Sequence, residues 1–196
     1  MDASVYTRPN KPRYIDVKNR KDLDPLPKVE VPEILTVDKD TECHVTPDNV
    51  ARVMVDYLNI DRWVFVLEPS AGTGQLVKAL LKDGHRARDI VAIEKHHALA
   101  KACEDNCPGV EVYQSCFLEW ANETSLTFPA IIMNPPFRKV KQHINAALDL
   151  LNDEDATLIA LVPSTFDHPE MVHIKDLPND TFALAKVNTK IVGFYR

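Results

Sequence analysis

Short apolar runs alternate with segments of helical period through most of this chain, and that alternation limits the possible folds more than any other feature. Trp63-Val-Phe-Val-Leu67, Ile90–Ile93, Val110–Tyr113, Ala130–Met133 and Thr157–Val162 are short and rich in β-branched residues. That length and composition suit strands buried on both faces. Between them, Val50, Val53, Met54 and Tyr57-Leu58, then Leu76, Val77, Leu80 and Leu81, recur at helical spacing. His97–Asn106 and Val140–Leu151 read as further helices. Thr46-Pro47-Asp48 predicts a helix start, with a hydroxyl N-cap, a proline at the first helical position and an acid in the first turn. Two last runs, Thr181–Lys186 and Thr189–Tyr195, predict the arms of a closing hairpin. Strands that alternate with helices build βαβ units, whose helices cover both faces of a mostly parallel sheet. The expected fold is therefore α/β: seven strands, mostly parallel, with a C-terminal antiparallel hairpin.

Residues 1–40 break this pattern. They hold five of the chain's 14 prolines, no glycine, and eight basic against eight acidic residues. Few apolar residues recur there at helical spacing, so an extended arm is expected, with a catalytic domain over 41–196. The arm's charges cancel, which puts the whole net charge of -6 on the domain. That charge argues against holding nucleic acid by bulk electrostatics, though a local basic patch remains compatible with it. Four cysteines (Cys43, Cys103, Cys107 and Cys116) are too few for a disulfide scaffold and fit a reducing, cytoplasmic setting. Without an apolar signal core or an apolar run of about 18 residues, no membrane association is expected.

Chemistry concentrates at three strand ends. Glu68-Pro69-Ser70-Ala71-Gly72-Thr73-Gly74 is a strand end and tight turn followed by a helix, where glycines let the backbone approach a ligand and the helix N-terminus faces it. Glu94 ends the next strand, 22 positions after Gly72, where a ribose-binding carboxylate belongs. Asn134-Pro135-Pro136-Phe137 follows the fourth strand. Its prolines remove two amide donors and stiffen the loop, Asn134 offers a side-chain carbonyl, and Phe137 offers an aromatic plate. Such a loop suits a planar substrate bearing an amine. Arg138, Lys139 and Lys141 follow directly and could hold a phosphate. Cys103 and Cys107 lie four apart, but no second pair completes four ligands, so no metal is expected. His143 and the other histidines are expected at the surface.

Taken together, these segments resemble the class I S-adenosylmethionine-dependent methyltransferases, specifically the gamma group that methylates the exocyclic N6 amine of adenine in DNA. The likeness covers roughly 41–196 and implies a Rossmann-like sheet. It assigns Thr46, Pro47, Glu68, Pro69, Ala71, Gly72, Gly74, Glu94, Cys116, Phe117 and Asn134 to S-adenosylmethionine, and Asn134, Pro135, Pro136 and Phe137 to catalysis. The stretch from Thr181-Phe182 to Ile191 resembles the group's closing hairpin. Cys116 stands where the family has an acid that contacts the cofactor's adenine, with Glu119 as the nearest substitute. With the hairpin as the last segment, the target-recognition domain of that group is expected to be missing. This suggests a solitary enzyme of a phage or other mobile element, or one that borrows recognition from a protein partner. The expected partner is nucleic acid, foremost DNA. RNA adenine, a protein glutamine, or a non-catalytic cofactor-binding role stand as alternatives.

Overall fold

A computed structural model describes residues 45–152, 154–179, 181 and 188–196, all within one unit of the chain, Leu35–Arg196. The predicted arm over 1–40 and Cys43 lie outside the described residues. Helix α1 spans Asp48–Leu58 and strand β1 Val66–Glu68; α2 (Gln75–Asp83), β2 (Ile90–Glu94), α3 (His97–Asn106) and β3 (Glu111–Gln114) follow. Then come α4 (Phe117–Glu123), β4 (Ala130–Met133), α5 (Val140–Asp149), β5 (Thr157–Pro163), β6 (Val172–Asp176) and β7 (Thr189–Tyr195). The seven strands form one sheet in the order β3-β2-β1-β4-β5-β7-β6. Pairing is parallel from β3 through β5, and β7 runs antiparallel to both β5 and β6. The expected Rossmann-like α/β sheet with its antiparallel end is present.

Alternation along the strands explains why both faces are covered. Ala130 and Ile132 of β4 join Val66, Ile90 and Ile159 in one core, packed under Met54 and Leu58 of α1 and Leu76, Val77 and Leu80 of α2. Ile131 and Met133 point the other way, with Leu67, Val91 and Leu158, toward Phe117 of α4 and Ile144 and Ala147 of α5. A central strand apolar at every position is what two covered faces require.

Three details differ from the sequence reading. Strand β1 starts at Val66, not Trp63. Asp61–Trp63 form a turn in which Val64 N–H donates to Asp61 O at 3.0 Å, and Trp63 is 65% exposed. The strand pairing with β7 is Val172–Asp176, and the predicted arm Thr181–Lys186 lies, apart from Thr181, outside the described residues. β6 is an edge strand with mostly exposed side chains, so it carries no apolar run to announce it. Thr46 makes no cap hydrogen bond; Pro47 is the N-cap of α1, and its carbonyl accepts the N–H groups of Val50 and Ala51, both at 2.9 Å. No helix among the described residues is long and apolar enough to cross a membrane.

Candidate active site

The chain passes from β1 to its neighbours β2 and β3, then crosses back to β4 on the other side of β1. Ligands in such sheets bind at the carboxyl ends of the strands beside this switch point. A cavity of about 310 Å³ opens there, lined from β1, β2, β3 and β4 ends and from α5.

Its first wall is the loop after β1. Gly72 (φ 54°) and Gly74 (φ 87°) both adopt left-handed backbone. A side chain on Gly74 would be strained, and its Cβ would come within 2.9 Å of Cys107 Sγ and 3.0 Å of Cys103 Sγ. The two cysteines, at which no metal is expected, pack behind this loop. The turn is tied down by backbone donors. Gly74 N–H donates to Ala71 O at 2.8 Å, and Ala71 N–H donates to Ile93 O at 2.9 Å. Glu94 completes the tie, because its Oε2 accepts from Gly72 N–H at 2.9 Å and its Oε1 from His96 N–H at 2.7 Å. Its carboxylate is 8% exposed, yet two oxygens offer about four lone-pair sites, which leaves room for further donors.

Glu68 lies deeper. It is 1% exposed; Oε1 accepts from Ser70 N–H at 3.3 Å, and Oε2 is buried with no hydrogen-bond partner. Burial pushes its pKa well above the ordinary carboxylate range, the Ser70 amide opposes this, and Glu94 adds to it. A buried carboxyl with a spare oxygen in a ligand cavity is suited to a cationic donor, whose arrival would favour the ionised form.

The second wall follows β4. Asn134 Nδ2 donates to Thr46 Oγ1 at 3.0 Å, a bond across 88 residues of sequence. The hydroxyl predicted to cap α1 thus orients the asparagine amide instead. Pro136 O accepts Lys139 N–H at 3.1 Å as the chain turns into a short 3-10 helix, Phe137–Lys139. On the β3 side, Ser115 N–H donates to Glu94 O at 3.0 Å, and Phe117 is 3% exposed.

Of the residues singled out in the sequence, Thr46, Glu68, Pro69, Ala71, Gly72, Glu94, Cys116, Phe117, Asn134, Pro136, Arg138 and Lys139 line this one cavity. Pro47, Gly74, Pro135, Phe137 and Lys141 are not among the lining residues. Glu119 is exposed on α4 and also lies outside the lining. The expectation of surface histidines fails for His85, His143 and His168, which are 5%, 6% and 9% exposed. His143 belongs to the cavity wall, and it falls on the apolar stripe of Val140, Ile144 and Ala147.

The model of the methyltransferase small domain matches residues 36–160, more than half the chain, and the chain belongs to that family. No curated protein sequence matches it. Among solved structures, the 23S rRNA methyltransferase ErmE is similar over 76% of this chain and 67% of its own, at 19% identity and a TM-score of 0.61. The type I restriction-modification methyltransferase subunit of Streptococcus thermophilus is similar over 77% of this chain and 44% of its own, at 15% identity and a TM-score of 0.65. A dimethyladenosine transferase of Plasmodium falciparum is similar over 76% of this chain and 61% of its own, at 14% identity and a TM-score of 0.60. The protein is a methyltransferase that uses S-adenosylmethionine. The cavity fits that molecule: it pairs a buried carboxyl with an unpartnered oxygen against a cofactor that carries an ammonium and a sulfonium.

Proposed function

We propose that the chain methylates the exocyclic N6 amine of adenine in DNA. The observation that carries this reading is the Asn134 amide, held at the carboxyl end of β4 by Thr46 and followed by two prolines. With Nδ2 bonded to Thr46, the orientation of the amide is defined, and Oδ1 is its acceptor. The adenine amine is a poor nucleophile because its lone pair is conjugated with the ring. Hydrogen bonds from that amine to Asn134 Oδ1 and the Pro135 carbonyl favour a tetrahedral nitrogen and stabilise the positive charge that develops on it. Bound in the cavity, S-adenosylmethionine supplies an electrophilic methyl group on sulfur. Glu68 and Glu94, with the Ala71–Gly72 backbone, would hold it, and Phe137, outside the cavity lining, is the aromatic candidate for stacking on an unpaired or flipped base. Arg138 and Lys139, which line the cavity, are the candidate phosphate contacts.

The likeness to the restriction-modification subunit supports DNA. RNA adenine is the second reading, supported by the likeness to an rRNA methyltransferase and a dimethyladenosine transferase. Labelled S-adenosylmethionine should be incubated with duplex DNA, single-stranded DNA and structured RNA, and the nucleosides then resolved by mass spectrometry. N6-methyladenine in either DNA supports the proposal, whereas label in RNA alone transfers it to the second reading. No label in any nucleic acid overturns both.

A further inference from the structure

Beside the end of β3 the cavity contains a polar group that nothing above uses, His143, packed against Phe117. β3 lies on the far side of β2 from β1, so a nucleoside whose ribose meets Glu94 projects its base toward the end of β3. Leu99, Cys116, Phe117 and Leu118 wall that end, with His143 entering from α5. A slot this apolar accepts the faces of a purine readily. The purine's exocyclic amine is harder to accommodate, because a buried donor without a partner is costly. Cys116 is a weak acceptor.

His143 meets the need. Its Nδ1 lies 3.1 Å from the carbonyl oxygen of Lys139, one turn back on the chain. A carbonyl only accepts, so Nδ1 carries the hydrogen, and in the neutral ring Nε2 is then an acceptor. Among the described residues no hydrogen bond is made by Nε2, which is not one of the fully buried side-chain atoms left without a partner, and the side chain lines the cavity. The ring is held against Phe117 with centroids 5.7 Å apart, and His143 is 6% exposed. Burial lowers its pKa from the ordinary histidine value, with the nearby Lys139 charge acting in the same direction and its bond to the Lys139 carbonyl opposing. The neutral tautomer is thus the form present near pH 7.

We propose that His143 Nε2 accepts the exocyclic amine of the cofactor's adenine and sets the preference for an adenosyl over an oxopurine cofactor. This rests on the seat given to S-adenosylmethionine, with its ribose at Glu94, and assigns His143 to binding, not to the methyl transfer.

Calorimetry on the full chain tests it with two ligands: S-adenosylhomocysteine, and S-inosylhomocysteine, in which an oxo group replaces the amine. The wild type should bind the adenosyl compound about tenfold more tightly. His143→Leu should lose about tenfold for the adenosyl compound and keep its affinity for the inosyl compound, so that the discrimination disappears. His143→Gln, which retains an acceptor, should recover part of it. Equal losses for both ligands would reduce His143 to a packing role and overturn the proposal, as would no loss at all. If a variant does not fold, nitrogen NMR of the wild-type imidazole decides. The adenosyl ligand should shift the unprotonated Nε2 resonance, and an unmoved resonance or a protonated Nε2 overturns the proposal. If the wild type binds neither compound, the cofactor seat itself fails, a result distinct from lost discrimination.

Discussion

The two loops that flank the switch point are held by different kinds of bonds. After β1, the turn is fastened through its backbone: Ala71 N–H to Ile93 O, Gly74 N–H to Ala71 O, and Gly72 N–H to the Glu94 carboxylate. After β4, the working group is a side chain, and it is tied to another side chain, Thr46, just before α1. One wall is a cradle of amides pinned by carboxylates, and the other is an acceptor whose direction depends on a hydroxyl from a distant part of the sequence. Damage to the first wall should appear in stability and cofactor affinity. Damage to the second should appear in turnover.

The largest separation is expected from Asn134→Ala. Removing one preorganised polar group at a reacting centre lowers turnover by about 10²–10³. The side chain lies outside the two hydrophobic cores, so melting temperature and affinity for S-adenosylhomocysteine should change little. An affinity loss as large as the turnover loss would place Asn134 on the cofactor side and erase the contrast between the walls.

Glu94→Ala probes the opposite wall. It removes the charged acceptor of two amides, Gly72 and His96, and hydrogen bonds to charged groups contribute roughly 1.5–3 kcal/mol each. Partial rehydration reduces the sum, so a loss of about 2–3 kcal/mol is expected. That corresponds to about 5–10 °C in melting temperature for a domain of this size. Cofactor affinity should fall in parallel, while turnover at saturating cofactor should survive far better than in Asn134→Ala. An unchanged melting temperature would show that Glu94 serves ligands and does not brace the loop.

How much of this was legible in the sequence follows the same division. The sheet and its order class came from alternation, because a strand buried on both faces must be apolar throughout, as Ala130–Met133 is. The glycine turn and Glu94 were legible because positive φ restricts the residue type and because an acid ending a strand is conspicuous. Strand β6 was not, since an edge strand with solvent on its side chains needs no apolar pattern. The partner of Thr46 was also hidden. A threonine before Pro-Asp is locally best explained as a cap, and only the fold brings it to Asn134, 88 positions away. His143 was misread for a related reason. A histidine within an apolar stripe can face either solvent or core, and here Phe117 on α4 decides it.

Thr46→Val tests that hidden contact with a smaller effect. Valine keeps the shape and removes the hydroxyl, which takes away a hydrogen bond worth about 1 kcal/mol and lets the Asn134 amide rotate. Turnover should fall by up to about tenfold, with cofactor affinity nearly constant, and Thr46→Ser should restore most of it. A fall in cofactor affinity at constant turnover would mean that Thr46 belongs to the cradle, and the two walls would no longer be separable.

The smallest effect concerns Glu68 and is recognised by its pH dependence. Its folded pKa lies above the unfolded value, near 4.3, because burial disfavours the charged carboxylate. Between the two values the folded protein holds a proton that the unfolded chain has released, so the Glu68 contribution to stability declines as pH rises through that window. Glu68→Gln keeps the shape and does not titrate. The variant should match the wild type at about pH 4, then gain on it with increasing pH up to the folded pKa and hold a constant advantage above it. About 1 kcal/mol would appear as about 2–4 °C in melting temperature. The same substitution should weaken S-adenosylmethionine binding, since the amide cannot supply the charge that a cationic ligand draws out. A stability difference with no pH dependence would show that Glu68 is ionised in the empty cavity. Unchanged binding would remove it from the cradle and leave Glu94 as that wall's remaining carboxylate.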